Sequence, residues 1–210
     1  MLKLKGKNNG FSSVYKILTN QKIYKIYNKT AFSLYFRDRQ SEFKKLFKEL
    51  NNLKLSVNHK IISRNIIEIE ELKSDQNLSI KRLFNDNKLL KNFLKQIKKI
   101  SSINKKVSSR KIINEIDNYV RRSSQHQKIN NKISKLKKYI EVYDQNKICH
   151  GDLHLENIFI KKNRFLFLDW DYFILSSSGY DLAMFAYLEN LNKKQINKLS
   201  IYSKVSMEEI

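Results

Sequence analysis

The sequence predicts an α+β protein with two lobes, a small strand-rich lobe followed by a mostly helical one. In the first third of the chain, β-branched and aromatic residues fill short runs bounded by polar turns. In the remainder, apolar residues recur at three- and four-residue steps, which is the period of an amphipathic helix. Strands followed by helices are typical of the α+β class. The stretch "ELKSDQN" (71–77) loses the apolar pattern, so the lobes are predicted as 1–74 and 75–210.

Three strands and one helix are predicted in the first lobe. The runs "FSSVYKIL" (11–18) and "KIYKIY" (22–27) flank a turn at 19–21, and "NIIEIEEL" (65–72) gives a third strand. Between the second and third strands, residues 31–53 are predicted as an amphipathic helix. The apolar residues that define its face are Phe32, Tyr35, Phe36, Phe43, Leu46, Phe47, Leu50 and Leu53.

Helices dominate the predicted second lobe, with one hairpin near residue 160. Residues 86–103 and a weaker stretch from about 110 to 143 carry helical periodicity. The short apolar runs "NIFI" and "FLFLDW" surround the polar turn "KKNR" (161–164), a pattern that indicates a β-hairpin. From Tyr180 onward the chain is again predicted to be helical. Its apolar face consists of Leu182, Phe185, Ala186 and Leu188.

The formal net charge of +22 over 210 residues makes nucleic-acid binding one interpretation, because clustered lysine and arginine neutralise phosphates. The lysines are spread over the chain without a concentrated basic tract, arginine is scarce and proline is absent. This distribution favours a compositional bias of the genome over a dedicated nucleic-acid surface. We therefore expect no specific nucleic-acid partner, and a basic RNA-binding protein remains an alternative.

The single cysteine and the distribution of apolar runs bear on the cellular compartment. Cys149 alone cannot form a disulfide within the chain, which fits a reducing environment. The opening "MLKLKGKNNG" lacks the apolar core of a signal peptide, and no run approaches the roughly 20 apolar residues of a transmembrane helix. A cytoplasmic location without a transmembrane segment is therefore expected, and Cys149 is expected to be a buried small hydrophobe.

A polar segment between two apolar runs carries the residues suited to chemistry. In "CHGDLHLENIFI" (149–160), His150, Asp152 and Asn157 form H-x-D-x-x-x-x-N, and Asp169 follows at the end of the next apolar run. Phosphoryl transfer needs a carboxylate that orients the attacking hydroxyl and accepts its proton. It also needs oxygen ligands for Mg²⁺, which a second carboxylate and an amide can supply. A zinc site would contain more histidine or cysteine, so the segment predicts a hard cation.

These motifs resemble those of one known family. The segments "HGDLHLENIF", "FLDWD" and "YDLA" look like the catalytic segment of the aminoglycoside phosphotransferase and choline/ethanolamine kinase family, relatives of protein kinases. The helices and tail at the end of the chain, including "LSIYSKVSMEEI" (199–210), look most like those of bacterial choline kinases. Upstream, "KNNGFSSVYKI" resembles the loop that covers the ATP phosphates, with Gly6 and Gly10 but no full G-x-G-x-x-G. The resemblance implies a bilobal protein-kinase-like fold, with ATP and Mg²⁺ as cofactors.

The resemblance implies a role for each polar residue of the catalytic segment. Asp152 would be the catalytic aspartate on the acceptor hydroxyl, and His150 would orient it. Asn157 and Asp169 would be the Mg²⁺ ligands. Asp181, in "YDLA", would support the catalytic loop from the following helix.

The resemblance also implies which residues hold the nucleotide. Lys25, in "IYKIY", would contact the ATP phosphates, and Glu42 in the following helix would pair with that lysine. Ser12 and Ser13 belong to the phosphate-covering segment. Asp171 stands where choline-kinase-like members often carry a second acid, so it would assist metal or substrate binding. Plainer interpretations are a solvated strand residue for Lys25 and an ordinary helix-edge carboxylate for Glu42.

Two absences indicate a small acceptor and not a protein. The chain contains no proline and so cannot carry the A-P-E motif of protein kinases. Only 12 residues lead from Asp169 to Asp181, which leaves little room for an activation loop and a peptide-docking segment. The predicted protein is therefore a small-molecule kinase, a phosphotransferase with an alcohol group as acceptor.

Choline, ethanolamine or a similar amino alcohol is the expected acceptor. A quaternary ammonium binds the faces of aromatic rings, which can form a cage around it. The aromatic residues after the motif would form either such a cage or part of the hydrophobic core. They are Trp170, Tyr172, Phe173, Tyr180 and Tyr187. Family members generally continue for several further helices, so a shortened C-terminus is expected at Ile210. Thiamine, aminoglycosides and sugars remain open as acceptors, with aminoglycosides disfavoured by the positive charge. A degenerate kinase-like protein that binds nucleotide in a regulatory role is the other alternative.

Overall fold

Antiparallel strands form the beginning of the chain, where the β-branched and aromatic runs predict them. The computed structural model describes residues 2–3, 12–17, 22–28, 39–73, 75, 77–122 and 126–210. Three features predicted from the sequence lie outside these residues: the loop glycines Gly6 and Gly10, the turn at 19–21, and residues 31–38 of the first helix.

Within the described residues the chain forms nine strands and seven α-helices, so the predicted α+β class is confirmed. The strands are β1 (Leu2–Lys3), β2 (Ser12–Ile17), β3 (Lys22–Tyr27), β4 (His59–Ser63), β5 (Ile66–Glu70), β6 (Lys147–Cys149), β7 (Ile158–Lys161), β8 (Arg164–Phe167) and β9 (Ile174–Ser176). The helices are α1 (Gln40–Leu53), α2 (Ile80–Asn85), α3 (Asn87–Ser101), α4 (Ile112–Arg122), α5 (His126–Glu141), α6 (Tyr180–Leu188) and α7 (Lys193–Ser203).

The chain divides into two units, each made of two separate segments. The first unit comprises Met1–Leu78 and Glu156–Asp171, and the second comprises Ser79–Leu155 and Tyr172–Ile210. The hairpin β7–β8 thus belongs to the first unit, whereas the sequence prediction assigned it to the second lobe. Backbone hydrogen bonds explain the difference. The N–H of Phe167 donates to the carbonyl of Leu55, and the N–H of Asp75 donates to that of Ile160, both at 2.8 Å.

Strand β3 lies at the centre of the first unit's five-stranded sheet, whose order is β1-β2-β3-β5-β4. All of its strand pairs are antiparallel. Lys25 in β3 pairs with Val14 of β2 on one side and with Ile67 of β5 on the other. Hydrogen bonds on both sides hold the backbone of β3 in place. Strand β4 was not predicted from the sequence, because its five residues show no alternation of apolar and polar side chains.

Helix α1 buries one apolar face, as its periodicity predicts. The buried residues are Phe43, Leu46, Phe47 and Leu50, which recur at three- and four-residue steps. The helix ends at Lys54, which adopts the left-handed conformation with φ of 54° and so stops the helical repeat. Arg39 directly precedes the helix and Glu42 lies in its first turn, so both stand at the same end of α1.

The hairpin predicted around "KKNR" is confirmed. Strands β7 and β8 pair in register from Ile158 with Phe167 to Lys161 with Arg164, which leaves two residues for the turn. Lys162 and Asn163 both have positive φ, 49° and 59°. Two central residues with positive φ define a type I′ turn, whose twist matches that of the flanking strands.

The second unit consists of α2 to α7 and the short antiparallel pair β6–β9. Helix α3 begins at a side-chain cap, since Asp86 accepts from the backbone N–H groups of Lys88 and Leu89. Its apolar face is buried, and the ring of Phe93 lies 5.2 Å from that of Phe185 in α6. These contacts anchor α6, which lies after the polar segment 149–160 along the chain.

The structure refines several predictions for the second unit. The stretch predicted as helical from about 110 to 143 contains two helices, α4 and α5, and helix α2 was not predicted. Strands β6 and β9 were also missed, because runs of three residues carry no recognisable period. Cys149, in β6, is buried as expected. None of the described helices is both long enough and apolar enough to span a membrane.

Candidate active site

Lys25 is the centre of a charged cluster in the first unit. Its Nζ lies 2.5 Å from Oδ1 of Asp169 and 2.7 Å from Oδ2 of Asp171. Lys25 is buried in the central strand β3, and both aspartates follow β8 directly. The structure therefore brings together three residues that the motifs single out, although Lys25 is 144 and 146 positions away from the two aspartates in the chain.

The two aspartates of the cluster differ in exposure and in backbone conformation. The side chain of Asp169 is 44% exposed, whereas that of Asp171 is 17% exposed. Asp169 has a φ of 62°, in the left-handed region that few residues other than glycine adopt. Residues held in such conformations cluster at functional sites. Asp169 is thus the carboxylate that solvent and ligands can reach.

Burial and neighbouring charge shift the pKa values of the cluster. Burial alone would lower the pKa of Lys25, but the carboxylates of Asp171 and Asp169 outweigh it, and the pKa lies above its ordinary value. Lys25 is therefore a fixed cation at neutral pH. Burial raises the pKa of Asp171, the ammonium of Lys25 opposes this shift, and the charge of Asp169 adds to it.

Two residues that we did not single out from the sequence also contact Asp171. The Oη of Tyr27 donates to Oδ1 of Asp171 at 2.6 Å, and Nη1 of Arg39 donates to the Asp171 backbone carbonyl at 3.2 Å. Tyr27 follows Lys25 by two positions in β3. Alternate residues of a strand share a face, so this spacing is a signal that could have found Tyr27.

The predicted ion pair between Lys25 and Glu42 is not the arrangement in this structure. Lys25 binds the two aspartates, and Oε2 of Glu42 accepts from Nε of Arg39 at 2.9 Å. The physical reason is proximity along the chain, because Arg39 directly precedes α1 and Glu42 lies in the first turn of that helix. Arg39 also bonds the carbonyl of Asp171, so Glu42 connects to the cluster through Arg39.

Asn157 and Asp169 are the candidate magnesium ligands of the first unit. The N–H of Leu168 donates to the carbonyl of Asn157 at 2.9 Å, so the open end of the hairpin draws Asn157 close to the residue before Asp169. Carboxylate and amide oxygens suit Mg²⁺, which usually takes one or two carboxylates together with substrate phosphates. Among the described residues, no group of three or more His, Cys, Asp or Glu side chains is placed to hold a metal. This donor set fits an ion shared with a nucleotide.

Ser12 and Ser13 open strand β2, beside the strand that carries Lys25. In the register of the sheet, Ser12 pairs with Tyr27 and Ser13 pairs with Ile26. The described part of the segment predicted to cover phosphates therefore starts opposite the end of β3. A role for the two serines in nucleotide binding stays a prediction.

In the second unit, a buried carboxylate holds the polar segment that follows β6. Asp181 accepts from the backbone N–H of His150 at 2.8 Å and from that of Gly151 at 3.0 Å. His150 is fully buried, and its Nδ1 accepts from the N–H of Asp152 at 3.3 Å. Burial raises the pKa of Asp181, while His150 and the two N–H donors oppose that shift. Helix α6 thereby fixes the turn that carries Asp152.

The side chain of Asp152 is partly open to solvent, with 30% of its surface exposed. Nε2 of His154 lies 3.6 Å from Oδ2 of Asp152, a contact that we did not predict. The only signal in the sequence for this contact is that His154 and Asp152 lie two positions apart in the same polar turn. The division between the units falls after Leu155, so Asp152 belongs to the second unit and Asn157 to the first.

The aromatic residues after the motif divide between core and surface. Trp170 and Phe173 are 2% and 0% exposed, so core packing accounts for both. Tyr187 is 80% exposed. Tyr172 and Tyr180 are half-buried and remain candidates for contact with an acceptor.

The later part of the chain matches a known family of enzymes. Residues 109–197 match the model of the phosphotransferase enzyme family, APH. The matched range includes His150, Asp152, Asn157, Asp169 and Asp181. The resemblance inferred from the motifs is thereby confirmed.

A curated protein of Metamycoplasma hominis is also similar to this chain. The Protein LicA homolog of Metamycoplasma hominis is 26% identical to this chain over 136 residues. The match covers 65% of this chain and 44% of that protein, so it spans less than half of the relative's length.

Solved structures show which fold the chain shares. Choline kinase LicA from Streptococcus pneumoniae superposes with a TM-score of 0.75 at 17% identity, covering 99% of this chain and 79% of that one. LicA in complex with AMP gives 0.75 at 20% identity, covering 99% and 74%. The streptomycin–ATP–APH(2″)-IIa ternary complex gives 0.65 at 16% identity, covering 97% and 76%. The fold is thus that of small-molecule kinases, as the motifs predict.

Proposed function

We propose that this protein is an ATP- and Mg²⁺-dependent phosphotransferase that moves the γ-phosphate of ATP to a hydroxyl group of a small molecule. The observation that carries the proposal is the cluster in which buried Lys25 meets Asp169 and Asp171. Phosphoryl transfer is catalysed mainly by positioning and by fixed charges around the phosphates. The family match over residues 109–197 and the fold shared with LicA support the same chemistry.

In the first unit, Lys25 would contact phosphate and Asn157 and Asp169 would hold Mg²⁺. The ammonium of lysine has three donors, so Lys25 can stay bound to Asp171 and still donate to a phosphate oxygen. Mg²⁺ bound by these oxygens would neutralise the charge that develops on the phosphoryl group. The AMP complex of LicA supports a nucleotide as the ligand of this fold.

In the second unit, Asp152 is proposed as the acceptor of the substrate's proton. The hydroxyl oxygen of the acceptor forms a bond to the γ-phosphorus, the bond to the β–γ bridging oxygen breaks, and ADP leaves. The hydroxyl proton passes to the carboxylate of Asp152, which is open to solvent. His150 and Asp181 keep the backbone of this segment in place through their hydrogen bonds.

An amino alcohol such as choline or ethanolamine is the proposed acceptor. The support is the fold shared with a protein described as choline kinase. Tyr172 and Tyr180 are half-buried aromatic residues of the kind that bind an ammonium group through cation–π contact. The net charge of +22 disfavours a polycationic aminoglycoside, because like charges repel at long range.

The experiment that tests this function is ADP release from ATP and Mg²⁺ in the presence of a panel of acceptors. The panel contains choline, ethanolamine, thiamine, aminoglycosides and simple sugars. The Asp152→Asn protein is the blank, because it keeps the shape of the side chain but cannot take up the proton.

Each outcome of the panel has a definite meaning. Release that one acceptor stimulates, and that the Asp152→Asn protein lacks, would establish the phosphotransferase and identify its substrate class. Tight binding of ATP and Mg²⁺ without stimulated release would favour a regulatory nucleotide-binding protein. Absence of nucleotide binding by the wild-type protein would overturn the proposal.

A further inference from the structure

We propose that Asp171 is the carboxylate that anchors Lys25 for phosphate binding, and that Tyr27 is the positioning residue that holds Asp171 in this role. The resemblance assigned the anchoring role to Glu42 and gave Asp171 a part in metal or substrate binding. This role deepens the proposed function and rests on it. It concerns only residues of the first unit.

The hydrogen bonds of Asp171 carry the inference. Its Oδ2 accepts from Nζ of Lys25 at 2.7 Å, and its Oδ1 accepts from Oη of Tyr27 at 2.6 Å. Both carboxylate oxygens are therefore engaged by donors from a single strand. A carboxylate that serves a metal ion needs an oxygen directed at the ion, and Asp169 offers the more exposed side chain for that purpose.

Tyr27 and Lys25 are well placed to act as a pair. They are two positions apart in β3, so both point to the same face of the sheet, and both are buried. Strand β3 is hydrogen-bonded to β2 and β5, and the N–H of Tyr27 donates to the carbonyl of Asn65 at 3.0 Å. Burial and the adjacent Asp171 carboxylate raise the pKa of Tyr27, so its phenol keeps the proton that it donates.

The backbone of Asp171 is also hydrogen-bonded. Nη1 of Arg39 donates to the Asp171 carbonyl at 3.2 Å, and Nε of Arg39 donates to Glu42 at 2.9 Å. Glu42 thus supports the arginine that fixes Asp171. This arrangement explains how Lys25 can be anchored by an acid that lies 146 positions away and not by the acid of the following helix.

As a consequence, Asp171 and Asp169 would have different roles. Asp171 would hold the Lys25 side chain in the same direction whether or not a metal ion is bound. Asp169, which shares the same ammonium, would exchange that contact for the ion. Loss of the Tyr27 hydroxyl should therefore weaken the hold of the protein on phosphate groups without changing its demand for Mg²⁺.

The test compares Tyr27→Phe with a matched control, Tyr24→Phe. Tyr24 lies in the same strand, and its Oη donates to Oε2 of Glu68 at 2.8 Å, away from the cluster. Binding of ATP and of adenosine is measured by calorimetry for each protein. We expect Tyr27→Phe to weaken ATP binding about tenfold, because a hydrogen bond to a charged group is lost. We expect adenosine binding to stay within about twofold, since adenosine has no phosphate for Lys25.

A second pair of variants separates anchoring from metal binding. ATP affinity is measured against Mg²⁺ concentration for Asp171→Asn and for Asp169→Asn. We expect Asp171→Asn to weaken ATP binding at every Mg²⁺ concentration with an unchanged midpoint. We expect Asp169→Asn to raise the Mg²⁺ midpoint by about tenfold or more. The midpoint of urea unfolding shows whether Tyr27→Phe is folded. If it is not, Asp171→Asn still tests whether Asp171 anchors Lys25.

The possible results are distinct. The role is overturned if Tyr27→Phe behaves like Tyr24→Phe, if ATP and adenosine binding weaken equally, or if Asp171→Asn shifts the Mg²⁺ midpoint as Asp169→Asn does. A wild-type protein that binds no ATP overturns the proposed function itself. If the wild-type protein binds ATP and the Tyr27→Phe variant binds it equally well, only the role of Tyr27 is overturned.

Discussion

The carboxylate of Asp181 and the backbone N–H of His150 form a buried hydrogen bond of 2.8 Å in the second unit. The same carboxylate accepts the N–H of Gly151 at 3.0 Å. Asp181 and His150 are both buried, so water cannot replace these bonds when the carboxylate is removed. The start of the segment that carries Asp152 therefore depends on one side chain of α6.

Asp181→Ala should lower the free energy of unfolding by about 2–5 kcal/mol, since it leaves one buried and one partly buried N–H group without an acceptor. Urea unfolding followed by circular dichroism measures the change. Asp117→Ala is the control, because Asp117 pairs with Lys137 and is 44% exposed, where an ion pair contributes about 1 kcal/mol at most. Equal losses in the two variants would show that the buried bonds contribute little.

Gly151 occupies a position that no larger residue fits. Its φ is +85°, and a β-carbon there would lie 2.1 Å from the backbone carbonyl oxygen of Tyr172. Gly151→Ala should therefore destabilise the protein by at least about 2 kcal/mol, from the left-handed backbone and the overlap together.

Gly179→Ala is the matched control for Gly151. A β-carbon at Gly179 would lie 2.6 Å from Cγ of Glu209 and 2.9 Å from its backbone oxygen, so this variant also creates close contacts, but the φ of Gly179 is −84° and its backbone carries no left-handed strain. Thermal unfolding of both variants should show a clearly lower midpoint for Gly151→Ala. Similar midpoints would mean that the segment between β6 and Asp152 shifts to admit a methyl group.

The sequence was informative wherever the structural signal is local. The hairpin at 158–167 follows from two apolar runs and a polar turn, and Asn163 is among the residue types that tolerate positive φ. The buried face of α1 follows from its period. The H-x-D-x-x-x-x-N spacing predicts roles for His150, Asp152 and Asn157, because this pattern seldom arises by chance, and those roles stay predictions.

The sequence did not show which residues far apart in the chain pair with each other. Glu42 and Asp171 are both carboxylates that could anchor Lys25, and no local pattern decides between acids 17 and 146 positions away. The membership of β7–β8 in the first unit depends on backbone bonds such as Phe167 to Leu55, which carry no side-chain signature. Tyr27 could have been predicted from the sequence, because it lies two positions after Lys25 and alternate residues of a strand share a face.

Asp152→Asn should lower turnover by about 10²–10⁴-fold in the reaction with whichever acceptor the panel identifies, because the proton acceptor is lost. Nucleotide affinity should stay within about twofold, since the phosphate contacts proposed here come from the first unit. Steady-state kinetics and calorimetry measure the two quantities. Asp144→Asn, at a carboxylate that bonds only nearby residues, should change neither. A large loss of ATP affinity in Asp152→Asn would contradict its role as proton acceptor.

His59 should make the stability of the first unit dependent on pH. Its ring stacks on Phe47 with centroids 4.4 Å apart, and Nδ1 donates to the carbonyl of Val57 at 2.7 Å. Burial lowers the pKa of His59 from 6.5 to about 4, because the charged form loses its water. Between these two values the unfolded chain binds a proton at this residue and the folded chain does not.

Stability should therefore fall as the pH drops from about 7 toward 4, by up to about 3 kcal/mol from His59 alone. The sign follows because protons stabilise the state that binds more of them, which here is the unfolded state. Urea unfolding at pH 7.5, 6.0 and 4.5 measures the loss in the wild type and in His59→Gln, which keeps a hydrogen-bond donor but does not titrate. The difference between the two proteins isolates His59 from carboxylates that also titrate in this range. A parallel pH dependence in His59→Gln and the wild type would show that His59 is protonated as readily in the folded protein as in the unfolded chain.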